Sequence, residues 1–170
     1  MGLGFVMTTG RGGTDRLLSS LATALEDSTL RICGVVQINT DRNDCVGCDM
    51  DVRILSTDTT LRISQSLGPE ARGCRLDTSA LENAVGLVEA TMSNGADLLI
   101  INKFGKHEAN GRGFRGMIGD ALAAGTPVIV GLNDTNRAAF DEFAGDFAEA
   151  LPDDLDALQA WVKGKTAEAA

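Results

Sequence analysis

Residues 96–133 read ADLLIINKFGKHEANGRGFRGMIGDALAAGTPVIVGLN, and their pattern decides the fold class. After Asp97, LLII is a short, wholly apolar run, as expected of a strand covered on both faces. GFRGMIGDALAAG has helical apolar spacing and ends in a glycine stop. TPVIVGLN is a second apolar run, rich in β-branched residues. A strand, a helix and another buried strand in about 38 residues form a crossover unit, which joins parallel neighbours in a sheet.

The same alternation extends outward. GLGFVMTT near the N-terminus reads as a buried strand, GRGGTD as a glycine-rich turn and RLLSSLATALE as a helix. LRICGVVQIN is a further buried strand. CDMDVRILS and TLRISQS alternate in polarity about TDT and are expected to form a β-hairpin. After the loop LGPEARGCRLD, LDTSALENAVGLVEATMSNGAD reads as a helix capped near Thr78 or Ser79 and closed by Asn94-Gly95. RAAFDEFAGDFAEAL and LDALQAWV continue the helical spacing, and residues 163–170 are expected to form a frayed tail. The expected fold is a single α/β domain over 1–170. It is a three-layer, mainly parallel sheet with a β-hairpin insertion.

In such sheets ligands bind beyond the carboxyl ends of the strands. That rule selects the loops at Thr8–Asp15, Asn39–Cys48, Asn102–Arg112 and Asn133–Asn136. The third is unusual. The chain carries a formal net charge of −9 with 15 Lys and Arg, yet residues 102–115 hold Lys103, Lys106, Arg112 and Arg115 with Glu108 as the sole acid. Cations in the first turn of a helix oppose its dipole. An anion bound among them resolves that conflict, as does exposure of the basic loop to water. Asn102 sits where the strand emerges. His107, the one histidine, is a candidate anion donor, and Glu108 is a candidate for orienting water in catalysis, with Lys106 beside it. Arg72 and Arg75, in the next cation-rich loop, are candidates to close the same site.

The first strand, glycine turn and helix have the outline of a phosphate loop. Gly10, Gly12 and Gly13 supply backbone freedom, Thr14 a hydroxyl and Arg11 a cation. The lysine of G-x-x-x-x-G-K-[ST] is missing, however, and Asp15 repels phosphate at the helix start. Cys45 and Cys48 form C-x-x-C without a second such pair, so a four-ligand zinc site requires both Cys33 and Cys74 to fold in. Ordinary reduced thiols are the simpler expectation.

Composition narrows the partners. No apolar run approaches the roughly 20 residues of a membrane span, and MGLGFVMTTG itself has no basic n-region and only a short apolar stretch. The expectation is a cytoplasmic protein without a membrane partner. The acidic balance and 4% aromatic content with no Tyr argue against a nucleic-acid partner. From Asp134 onward there are nine acids and three bases, a net of −6 that suits a solvated helix face.

GVVQINT, CDMDVRILS, ISQSLGPEARGCRLD and the whole of 96–133 resemble an uncharacterised bacterial domain-of-unknown-function family classed with P-loop-NTPase-like proteins. The resemblance runs from about Gly34 to Asn133, and NKFGKHEANGRGFR and GCRLD are its most specific motifs. The chain is more distantly similar to the nucleoside-triphosphatase family first described in thermophiles. There an apolar strand ends in an acidic pair followed by Gly-Lys and Glu. Gly105, Lys106 and Glu108 match the later part, whereas Asn102 and Lys103 stand where the acids belong. The resemblance implies a P-loop-like core and an association with molybdate uptake and molybdenum enzymes. The expected function is therefore binding of a nucleotide phosphate, with Mg²⁺ and with NTP hydrolysis as an extension. The alternatives are a non-catalytic binding or storage protein for molybdate or tungstate, working as a homo-oligomer, and a thiol- or metal-binding regulator.

Overall fold

The computed structural model describes residues 2–41, 48–65 and 75–169. Along the chain lie β1 (Leu3–Val6), α1 (Gly13–Ala24), β2 (Ile32–Asp41), β3 (Cys48–Ile54), β4 (Thr60–Arg62), β5 (Ser64–Gln65), β6 (Arg75–Leu76) and α2 (Thr78–Met92). There follow β7 (Leu98–Ile101), α3 (Lys106–Ala109), α4 (Arg115–Ala123), β8 (Val128–Gly131), α5 (Asp134–Ala144), β9 (Ala148–Leu151) and α6 (Leu155–Ala169). A seven-stranded sheet runs β4-β3-β2-β7-β8-β1-β9. Its five strands from β2 to β9 are parallel, and β3 and β4 extend the β2 edge antiparallel. β5 and β6 form a separate two-stranded ribbon.

β1, β7, β8 and the first half of β2 are apolar on both faces because helices cover both. Val6, Val36, Ile100 and Ile129 pack with Leu18 and Leu21 of α1 and with Leu158 and Val162 of α6. Phe5, Val35, Ile101 and Val130 pack on the other face with Leu81 and Val88 of α2, Ile118 of α4 and Phe140 of α5. At the centre, Gly34 of β2 stands beside Ile100 of β7 in parallel register, with φ 119°. A Cβ there would strike the Ile100 carbonyl, so only glycine fits.

The structure corrects several boundaries. Asp77, rather than Thr78 or Ser79, caps α2, its carboxylate accepting from Ser79 N at 3.0 Å and Ala80 N at 3.1 Å. The helix expected over GFRGMIGDALAAG begins two residues later, at Arg115, so Arg112 lies before it. The run RAAFDEFAGDFAEAL is not one helix. Gly145, at φ 55°, ends α5, and Ala148–Leu151 becomes an edge strand paired in parallel with Leu3–Val6. Ala and Glu favour helix, but an open β1 edge and burial of Leu151 against the α1–α6 face outweigh that preference. Residues 163–169, expected as a frayed tail, continue α6. The hairpin reading of CDMDVRILS and TLRISQS matches the antiparallel β3–β4 pair, although β3 also pairs antiparallel with β2 over a longer stretch. Among the described residues no helix is long and apolar enough to cross a membrane.

Candidate functional site

The connections after β1, β7 and β8 and the end of β2 meet at the carboxyl edge of the parallel sheet. After β1, Gly10 and Gly12 take positive φ (87° and 73°), and the chain enters α1 at Gly13. Thr8 and Thr14 join their hydroxyls at 3.0 Å across this loop. Thr14 also abuts the end of β8, where the Asn102 carbonyl leaves no room for a side chain on Gly131. The glycine loop is thereby pressed against the ends of β7 and β8.

Asp15, in the first turn of α1, ties these connections together. Its carboxylate accepts from Asn39 Nδ2 at 2.6 Å and from Asn102 Nδ2 at 2.8 Å. Asn102 is buried and also accepts the Gln37 N–H on Oδ1 at 2.8 Å, while Gln37 Nε2 donates to Asn39 Oδ1 at 2.7 Å. A carboxylate near a helix N-terminus is favoured by the dipole. Here it adds a negative charge beside the glycine loop, where a phosphate loop would hold its anion.

Beyond β7 the basic loop is folded rather than splayed. Phe104 is fully buried and contacts Phe140 edge-on at 5.3 Å and Phe143 by stacking at 5.5 Å. Glu108, only 3% exposed, receives Gly105 N on Oε2 at 2.9 Å and Phe114 N on Oε1 at 3.2 Å. These two bonds close the short α3 and pin the loop at both ends. Glu108→Ala orphans both N–H groups, one of them on buried Phe114, at about 1–3 kcal/mol each. The expected loss is about 3 kcal/mol, with Tm falling by roughly 10 °C for a chain of this size. Calorimetry checks it, and an unchanged Tm sinks this structural role.

His107 Nε2 lies 2.7 Å from Glu82 Oε1 on α2, and that oxygen also accepts Gly113 N at 2.9 Å. The Gly113 N–H holds the Glu82 carboxyl below its usual range, the His107 contact and the charge of Arg112 add to this, and partial burial opposes it. A depressed folded value stabilises above the usual 4.5 and is lost as pH falls through it. Wild type and Glu82→Gln are therefore expected to differ in urea midpoint at pH 6 and to converge as pH falls below the depressed folded value. A gap that persists at low pH excludes this linkage.

The expected site residues are distributed unevenly. Asn102, Lys103, Lys106, His107 and Glu108 all line one pocket of about 300 Å³, with Gln37, Asn133 and Asn136. Lys103 and Lys106 are exposed at its rim. Gly10, Arg11, Gly12, Gly13 and Thr14 lie on the glycine loop, connected to the pocket through Asp15 and Asn102. Arg115 turns away, its guanidinium 4.8 Å from the Phe143 ring centre and Nη1 3.4 Å from the Glu108 carbonyl. Arg112 is exposed beside Glu82, and Arg75 is exposed on β6. Arg72, Cys45 and Cys74 lie outside the described residues. Cys33 is buried in the sheet. Among the described residues no three His, Cys, Asp or Glu side chains gather as a metal site.

Sequence reasoning missed the Gln37–Asn39–Asn102–Asp15 network and the α2 anchor Glu82. The strand-end rule had pointed to the loops at Asn39 and Asn102. It could not pair their amides with Asp15, since that pairing joins residues 24 and 87 positions apart.

Fold and site together define a mixed α/β protein with a mostly parallel central sheet, consistent with a P-loop-NTPase-like architecture. The chain belongs to the family described as Protein of unknown function (DUF2478), whose model matches residues 3–161. It is also 35% identical over 149 residues to the molybdenum import ATP-binding protein ModC 2 of Bradyrhizobium diazoefficiens. That match takes in 86% of this chain and 16% of the ModC 2 protein. No solved structure matches.

Proposed function

We propose that this chain binds a small anionic ligand at the carboxyl ends of β2, β7 and β8, with Lys103 and Lys106 supplying the charge and a nucleotide phosphate as the anion. One observation carries this reading. In a chain of net charge −9, Arg31, Arg53, Arg62 and Arg137 each meet a carboxylate, whereas Lys103 and Lys106 line a pocket without an acidic partner among the described residues. Two ammonium groups at the mouth of a concave site attract an anion and are left for it.

Binding without hydrolysis is the form we favour. Glu108, the candidate for orienting water, has both oxygens engaged by backbone N–H groups. Magnesium carried in with a nucleotide takes few protein ligands, and the Asp15 carboxylate and Thr14 hydroxyl at the head of α1 are already engaged by Asn39, Asn102 and Thr8. A second reading, a molybdate or tungstate site, is favoured by the likeness to a protein whose name states molybdenum import.

Thermal unfolding in the presence of Mg-ATP, Mg-GTP, phosphate, sulfate, molybdate or tungstate tests both. A ligand at 100 times its dissociation constant stabilises by about 2.7 kcal/mol, a rise of roughly 5–10 °C here. A rise with nucleotide supports the first reading, and a rise with molybdate or tungstate alone supports the second. No rise with any of them removes both the triphosphate and the bare-oxyanion readings.

A further inference from the structure

The strand-end pocket has more than a charged rim. Its floor is Val35 and Val52 of the sheet, Ile63, Leu81 of α2 and Phe114. Every one of them is at least nine-tenths buried in the core. Leu76, 36% exposed, stands on the wall. A bare tetrahedral oxyanion needs donors on all sides and gains nothing from such a floor, whereas about 300 Å³ is the lower end of the range that encloses organic ligands. Around the floor stand amides with unengaged atoms. Asn133 Oδ1 accepts from Asn136 N and Nδ2, and Gln37 Nε2 donates to Asn39. Asn133 Nδ2, Asn136 Oδ1 and Gln37 Oε1 remain without a partner among the described residues. One donor and two acceptors at the edge of an apolar slot suit the edge of a nitrogen heterocycle.

Asp15 limits the anionic end. Its carboxylate is locked at the head of α1 by Asn39 and Asn102, and Asn102 also lines the pocket. A polyphosphate extending from the lysines toward the glycine loop meets this negative charge, whereas a single phosphoryl group at Lys103 and Lys106 stops short of it.

We infer that the pocket over Val35, Val52, Ile63, Leu81 and Phe114 takes the heteroaromatic ring of an organic phosphomonoester whose single phosphoryl group lies on Lys103 and Lys106. This rests on the anion site proposed above and names its ligand class. The floor selects for the ring, the amides read its edge, and Asp15 selects against di- and triphosphates.

Calorimetric titration of the full chain in EDTA-containing buffer tests it with AMP, GMP, UMP, ribose 5-phosphate, inorganic phosphate, molybdate and ATP as probes. At least one nucleoside monophosphate is expected to bind tenfold or more tightly than ribose 5-phosphate, phosphate and molybdate, and more tightly than ATP. Leu76→Asn, at a position exposed enough to spare the fold, is expected to cut that margin at least fivefold while leaving phosphate affinity unchanged. Asp15→Ser is expected to shift the ATP-to-AMP affinity ratio at least fivefold toward ATP. Phosphate, molybdate or ribose 5-phosphate binding as tightly as every monophosphate overturns the ring assignment but leaves the anion site standing. An absence of binding by all seven probes overturns the anion site itself.

Discussion

Gly34→Ala is expected to destabilise the chain by about 4 kcal/mol or more, at the extreme end of single substitutions. Two costs add. The residue sits at φ 119°, a region that residues with a Cβ occupy only under strain of about 1–3 kcal/mol. The new methyl group also meets the Ile100 carbonyl of the neighbouring strand. That is backbone held in the parallel β2–β7 ladder, so relief requires parting the centre of the sheet rather than turning a side chain. Overpacking of a fixed core costs a further 1–3 kcal/mol or so. Denaturation in urea should show a sharply lowered midpoint, or no folded protein at all. A midpoint within error of wild type would show that β2 and β7 do not approach as described.

The double charge reversal Lys103→Glu, Lys106→Glu should abolish binding of whichever anion gives the thermal shift. Each ammonium lost as a charge-assisted donor removes about 1.5–3 kcal/mol, and each carboxylate gained adds repulsion. The dissociation constant should therefore rise at least about 100-fold. Both side chains are exposed and lack an acidic partner among the described residues, so folding should be preserved and the Tm without ligand should change little. Arg115→Glu is the contrasting variant. Arg115 packs on Phe143 and bonds the Glu108 carbonyl, so it should lower stability rather than act on binding directly. Retained affinity in the double reversal would move the anion elsewhere and remove Lys103 and Lys106 from the site.

The elements bearing the parallel core were legible because each is a short apolar run between helical patterns. β9 was not legible. AEAL has the composition of a helix and becomes a strand because β1 leaves an edge to be paired. The basic loop was visible as a charge anomaly, but its four cations look alike in sequence. Tertiary packing divides them. Phe104 and Phe114 enter the core, and Glu108 ties down the backbone between them. This leaves Lys103 and Lys106 at the pocket while Arg115 faces an aromatic ring. Glu108 itself read as a catalytic acid among cations, and its burial against two backbone N–H groups could not be inferred from its neighbours in the chain.

The sequence by itself determined the alternating α/β order and the missing lysine and intruding Asp15 of the glycine loop, and it singled out the strand ends as the candidate site. These are local properties: apolar periodicity, turn chemistry, and residue types at fixed spacing. Only the tertiary structure decided that Asp15 is held by Asn39 and Asn102, that Glu82 anchors His107 and Gly113, and that an apolar floor from β2, β3 and α2 underlies the lysines. Those features join residues tens of positions apart, and long-range packing in the sheet sets their distances.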